Sequence, residues 1–318
     1  MPPAYDLLVI GDANPDVILG PLTDPLAFGQ REQLVGSGAL TLGGSAAIMA
    51  CGAARLGLSV AFAGRVGDDD AGRYVRDELT ARGVDTRALT LDPALPTPLT
   101  VVLTRGDDRA ILTSPGTLTA VSGKDVPEDL LTRSRHVHAA SYFLQPRLAE
   151  DLPGLFGTAR AHGATTSLDT QDDPSGAWDR TALDAVLAET GLLLPNAQEA
   201  RSLAGPKART PELAARLLAT RVPLVAVKNG ADGALCHDGQ RLTSAPGLTL
   251  TPRDTVGAGD SFDAGFVAAT LHGHPPYQAL RFAAVCGALS TRAHGGTRAQ
   301  PTWDELLAHT TLSGAHAS

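Results

Sequence analysis

Near the C-terminal end, the stretch Asp254-Thr255-Val256-Gly257-Ala258-Gly259-Asp260-Ser261-Phe262 joins a flexible turn to a carboxylate. Gly257 and Gly259 flank Ala258 where an amphipathic helix should begin, so the backbone can bend sharply and offer unpaired N–H groups to an anion. Asp260 follows at once. Its charge would repel a bound phosphate, so a carboxylate there implies chemical work rather than anchoring. A base beside an anion cradle points to phosphoryl transfer.

Other residues carry weaker signals. Asn14 and Asp16 come just after the apolar run Leu7 to Ile10, and open α/β sheets bind ligands beyond the carboxyl ends of their strands. Asn-Pro and Asp are also common turn formers, and taken alone the pair reads as a turn. His136 and His138 share one face of a predicted strand with no nearby carboxylate or cysteine, which fits satisfied histidines better than metal ligands. Asp68, Asp69 and Asp70 open a predicted helix, where acidic residues suit the macrodipole. The chain has no G-x-G-x-x-G, and the turn at Gly257 lacks the Lys-Ser or Lys-Thr of a Walker A loop. Gly43-Gly44-Ser45 and Gly259-Asp260-Ser261 only approach the hydrolase pattern G-x-S-x-G.

Composition narrows the partners. The chain has 318 residues and a net charge of −8, enough length for a large α/β core and no broad basic surface for nucleic acid. Cys51, Cys236 and Cys286 are scattered and odd in number, which argues against a disulfide framework or zinc site and for a reducing cytoplasm. The N-terminal Met1-Pro-Pro-Ala-Tyr-Asp6 has no basic leader. The apolar stretch Ala46 to Gly64 is broken by Arg55 and three glycines, so no membrane span is expected.

The positioning elements follow from periodicity. Leu7 to Ile10 reads as a buried parallel strand. Residues 21–42 read as loop or short strands outside the main sheet. A helix from Gly43-Gly44-Ser45 carries Ile48, Cys51 and Leu56 inward and stops at Gly57; strand Val60 to Ala63 follows, and Gly64 to Asp70 opens another helix. Residues 100–104 and 109–113 form a hairpin through Arg105-Gly106-Asp107-Asp108. Strands are expected near 135–140, 164–169, 191–194 and 223–227, and helices near 147–161, 179–189, 197–204 and 211–220. A second hairpin at 233–243, the helix after Gly259 and two more near 277–293 and 303–309 complete a doubly wound, mostly parallel sheet. One domain over 1–318 is expected, with a small β lid from about 13–40 and 98–114.

With these residues in place, the chain resembles the ribokinase-like carbohydrate kinases, the PfkB family, over nearly its whole length. The stretch from Asp254 to Asp260 is similar to the family's D-T-x-G-A-G-D signature. Gly43-Gly44 with the following small-residue helix, then Gly64, Gly67-Asp68-Asp69 and Gly72, resembles its first signature. Leu194-Pro195-Asn196-Ala197-Gln198-Glu199 looks like its N-x-x-E.

The resemblance implies roles. Asp260 would be the general base, and the N–H groups of Gly257, Ala258 and Gly259 the anion hole for the transferring phosphoryl group. The helix N-terminus is expected to favour ionised Asp260. Asn196 and Glu199 would face the phosphates, Glu199 holding Mg2+ through water, although the pair also spells a capping box. Lys228, Gly230, Gly233 and Thr255 would line the ATP site; the alternative is turn glycines and a solvated lysine. Asp254 and Val256 fall where many relatives hold a monovalent cation, which would be K+. Asn14, Asp16, Gly43 and Gly44 would bind substrate hydroxyls, with Asp169 and Gln171 further candidates near phosphates or substrate.

Ile48 departs from the asparagine of many relatives, and Ser141 to Pro146 replaces a segment that carries an acidic contact in ribokinase, which makes ribose a poorer fit. The expected activity is ATP- and Mg2+-dependent phosphorylation of a hydroxyl on a small carbohydrate. A nucleoside kinase, favoured if Phe28, Tyr142 and Phe143 reach the pocket, and a non-catalytic sugar- or nucleotide-binding regulator are the alternatives. Some relatives pair through the lid, so a homodimer there is open.

Overall fold

The computed structural model describes residues 3–106 and 108–312; Asp107 of the first hairpin turn and the first two residues of the N-terminal segment lie outside them. In chain order the elements are β1 (Tyr5–Ile10), β2 (Asn14–Gly20), β3 (Ser37–Gly43), α1 (Ser45–Arg55), β4 (Val60–Gly67), α2 (Asp70–Ala81), β5 (Val84–Asp92), β6 (Leu99–Arg105) and β7 (Asp108–Ser114). Then come α3 (Glu128–Thr132), β8 (Ser134–Ala140), α4 (Pro146–Ala161), β9 (Thr165–Asp169), α5 (Arg180–Ala188), β10 (Leu192–Leu193), α6 (Ala197–Ala204) and α7 (Pro211–Leu218). The last third holds β11 (Leu224–Lys228), β12 (Ala234–His237), β13 (Leu242–Ala245), α8 (Ala258–Leu271), α9 (Pro276–Ser290) and α10 (Trp303–Leu312).

Nine strands form one sheet in the order β13-β12-β11-β10-β9-β8-β1-β4-β5. It is parallel from β11 to β5 and antiparallel only where β12 and β13 join. β1 is buried on both faces because its side chains alternate between two apolar layers: Leu7 and Val9 join α1, α2, α8 and α9, while Leu8 and Ile10 join α3 to α7. Strands run outward in both directions from β1, so the gap beyond the ends of β1, β8 and β9 is a topological switch point.

A second sheet, β3-β2-β6-β7, stands beside the first. It takes in both segments that the sequence set apart. Asn14 and Asp16 lie in strand, paired with Gly43 and Thr41 of β3, rather than in the turn their types favour alone. The Asp16 carboxylate covers Gly43, where a Cβ would lie 2.0 Å from Asp16 Oδ1. β4 runs on to Gly67, four residues past the expected end, because β5 pairs with it along that length. Asp69 then caps α2 by accepting from the Gly72 N–H at 2.8 Å.

Candidate active site

The glycine turn read above as an anion cradle lies at the start of α8. Gly257 holds φ of 72°, and a Cβ there would lie 2.6 Å from Gly296 Cα, so both the conformation and the close approach need glycine. Ala258, Gly259 and Asp260 make up the first helical turn, whose N–H groups have no acceptor four residues back. The Ala258 N–H points toward the Thr255 carbonyl at 3.3 Å, a weak hold.

Asp260 is buried behind this turn. Burial pushes its carboxyl up to about 8; the Lys228 charge opposes this, and the Asp169 and Asp12 charges reinforce it. The helix N-terminus therefore does not dominate, contrary to expectation: desolvation among acidic neighbours outweighs a partial charge. Gln171 Nε2 donates to Asp260 Oδ1 at 3.2 Å, and the Ser45 hydroxyl hydrogen-bonds the same carboxyl. Ser45 directly follows Gly43-Gly44, so the glycine pair is brought against Asp260. Asp12, at the end of β1, accepts the Ser45 and Ala46 N–H groups at 3.0 Å each and holds the start of α1 in place.

On the small-sheet side, Asn14 Nδ2 donates to Asp16 Oδ1 at 2.7 Å. Burial raises the Asp16 carboxyl to about 7 despite that bond, and the Asp12 charge adds to the rise. Gly44 takes φ of 89°, and a Cβ on it would meet the Asp12 carbonyl at 2.7 Å.

On the other side of the turn, a cavity of about 300 Å3 is lined by Lys228, Gly230, Gly233, Thr255, Ala258 and Gly259, with Leu248, Leu250, Phe262 and Ala284 as apolar wall. A larger and more open groove, about 500 Å3 beside Arg65, Asp92 and Lys124, contains no residue singled out above. Lys228 is not a solvated side chain. Its stem lines the cavity while Nζ turns inward to Asp169 at 2.7 Å and Asp263 at 3.2 Å. Burial works against the ammonium, but Asp169, Asp263 and Glu199 outweigh it and hold its pKa above the usual lysine range. In return Lys228 keeps the fully buried Asp169 carboxyl low, while burial, with Asp169 beside it, pushes the Asp263 carboxyl well up.

Asn196 and Glu199 form the complete capping box. Asn196 Oδ1 accepts from the Gln198 and Glu199 N–H groups, and Glu199 Oε2 accepts from the Asn196 N–H at 2.8 Å. Glu199 is buried and raised to about 7, by burial first and the Asp169 charge second. A bridge between Asn196 and Lys228 sets this helix start beside the cavity. Asp254 Oδ1 accepts the Val256 N–H at 3.0 Å and Oδ2 the Gly295 N–H at 2.9 Å, which ties this loop to the segment after α9.

Three groups flagged in the sequence take definite places. Ile48 does not face an open pocket: a Cβ on Gly296 would lie 2.6 Å from its Cδ1, and one on Gly257 3.0 Å from its Cγ2, so it wedges beneath the anion turn. Tyr142 donates its hydroxyl to the Ala182 carbonyl, Phe143 stacks edge-on against Trp178, and Phe28 is 88% exposed. His136 and His138 are buried on Ser167, and burial lowers them to about 3 and 4. Sequence reasoning missed Asp12, Ser45 and Asp263; Asp263 was within reach, since three positions after Asp260 on a helix means the same face.

Residues 5–303 match the family described as pfkB family carbohydrate kinase. The chain belongs to the pfkB family. The ATP-dependent ribose-1-phosphate kinase of Halopiger xanaduensis is 32% identical over 303 residues, covering 95% of this chain and 97% of the relative. The fructokinase of Klebsiella pneumoniae is 31% identical over 279 residues, with 83% and 90% covered. An E. coli chain described as a ribokinase II, solved with ATP and Mg2+, superposes with a TM-score of 0.85 at 23% identity over 96% of this chain and 99% of that one. This pfkB chain is accordingly a carbohydrate kinase with the ribokinase fold. Among the described residues no helix is long and apolar enough to cross a membrane.

Proposed function

We propose that this kinase moves the γ-phosphoryl group of ATP onto a hydroxyl of a small sugar or sugar phosphate held against the small sheet. The observation that carries the reading is Asp260, which touches the residue after Gly43-Gly44 on one side and opens the helix whose first turn lines the 300 Å3 cavity on the other. Asp260 takes the proton from the attacking hydroxyl. The first-turn N–H groups at Gly257, Ala258 and Gly259 stabilise the charge on the transferring group, which positions more than it reacts. The apolar wall with Gly230, Gly233 and Thr255 suits the adenine and ribose of the donor. Asn14 and Asp16, with Gly43 and Gly44 leaving backbone room, bind acceptor hydroxyls.

The oxygen-rich pair Asn196 and Glu199 fits a hydrated Mg2+, a hard cation that would neutralise phosphate charge. Both Glu199 oxygens already accept from Asn196, so contact through water suits the geometry. The placement of Phe28, Tyr142 and Phe143 gives a nucleoside acceptor no aromatic platform. We further read the small sheet as a lid over the acceptor and the cytoplasm as the working compartment. The test is ADP release from ATP and Mg2+ with ribose, ribose 1-phosphate, fructose and adenosine. Turnover of a sugar that disappears in Asp260→Asn supports the reading; tight sugar binding without ADP release would reassign the protein as a regulator.

A further inference from the structure

Gln171 stands two residues past the end of β9 with a backbone φ of 55°, in the left-handed region that a non-glycine residue occupies at a cost. The strain sets its carboxamide between two buried carboxylates. Gln171 Nε2 donates to Asp169 Oδ2 at 2.7 Å and to Asp260 Oδ1 at 3.2 Å, while its backbone N–H donates to Asp169 Oδ1 at 3.2 Å. An amide NH2 has two hydrogens, so both acceptors can be served; the flipped amide would turn its oxygen on two carboxylates. Asp169 is itself fixed by Lys228 at 2.7 Å. An aspartate carboxylate turns freely about its last torsion unless a partner stops it.

We propose that Gln171 is a positioning residue, whose carboxamide carries the fixed location of the Lys228–Asp169 ion pair to the Asp260 carboxylate and so aims it at the acceptor hydroxyl. The proposal rests on Asp260 acting as the base. A residue that merely turned the chain after β9 would have no need of a strained backbone or of an amide serving both carboxylates. Asp260 is also faced by Asp12 from the end of β1, Ser45 from α1, Lys228 from β11 and Asp263 from its own helix. Gln171 is the neutral donor among these that also holds Asp169.

Gln171→Gly separates aim from architecture, because it deletes the amide while relieving the left-handed strain. The expected result is an unchanged or higher melting temperature, a kcat lower by about 10- to 100-fold and a KM for ATP within about two-fold of wild type. Gln171→Glu, of the same shape, puts an acceptor where the donor was. It should lower kcat similarly and move the acid limb of the kcat/KM profile to higher pH. Unchanged kcat and pH profile in folded Gln171→Gly would overturn the proposal while leaving Asp260 as base intact. If wild type phosphorylates no acceptor in the panel, the base reading fails instead. The ligand-free protein then decides the placement through its carboxyl-13C aspartate titration, with the Asp260 signal assigned from Asp260→Asn. An upward shift of about half a pH unit in Gln171→Gly is expected, and an unmoved Asp260 signal overturns it.

Discussion

Burial works against the charged form of both Asp260 and Lys228, but their neighbours answer it in opposite ways. Lys228 keeps its charge because Asp169, Asp263 and Glu199 outweigh its burial; Asp260 is pushed to about 8 by burial first, with the Asp169 and Asp12 charges adding to the rise against Lys228. A base must be ionised to accept a proton, so kcat/KM should rise with pH through a limb near 8, and a limb near 4 would show that burial does not set the base. Stability runs the other way. Between about pH 4, where an unfolded aspartate titrates, and about 8, the folded chain retains a proton that the unfolded chain has released, so stability falls as pH rises through that window. Asp260→Asn removes this loss, and its melting temperature should gain on wild type by about 2 °C or more as pH goes from 4 to 8; parallel curves would refute the assignment. Lys228→Met leaves Asp169 facing Asp263 without a cation and should cost about 3–5 kcal/mol in denaturant unfolding.

At the scale of elements, α6 shows how one local motif can serve two purposes. Glu199→Gln keeps an acceptor for the Asn196 N–H and drops the charge, but its NH2 loses the second bond, from Asn196 Nδ2. It should lower the melting temperature by only a few degrees, about 1 kcal/mol, while raising the Mg2+ concentration needed for half-maximal rate several-fold; Glu199→Ala, which loses both bonds, should cost more stability than Glu199→Gln. Equal Mg2+ dependence in wild type and Glu199→Gln would reduce Glu199 to a cap. Such motifs are legible in a sequence because all their partners lie within one turn, and so are the anion turn at Gly257 and the apolar strand β1. Asn14 and Asp16 are not legible in this way. Their strand exists only because β3 and β6 pair with it, and Asp16 is matched to Thr41 and Thr100. The inward turn of Lys228 depends on Asp169, 59 positions away, and nothing in the local pattern of β11 announces it.

The whole molecule is a doubly wound nine-stranded sheet with a thin four-stranded sheet beside it. Every residue of β7 is exposed, so this edge has little packing of its own to hold it. If the small sheet closes over acceptor, the amides of β6 and β7 should exchange hydrogen more slowly when a phosphorylatable sugar and a non-hydrolysable ATP analogue are bound together. Equal exchange with and without the ligands would mean that the sheet is a fixed wall.

Ile48 has a wider consequence. Asn14, Asp16, Gly43 and Gly44, proposed to bind acceptor hydroxyls, fall before residue 45, and the cavity proposed for the donor is lined from Lys228 onward. The two recognition surfaces thus arrive from opposite ends of the gene and touch at a seam where Ile48 meets Gly257 and Gly296. Acceptor choice can drift, or be transplanted by exchanging residues 14–44 with those of a relative, without disturbing nucleotide choice, provided the graft still fits the isoleucine at the seam.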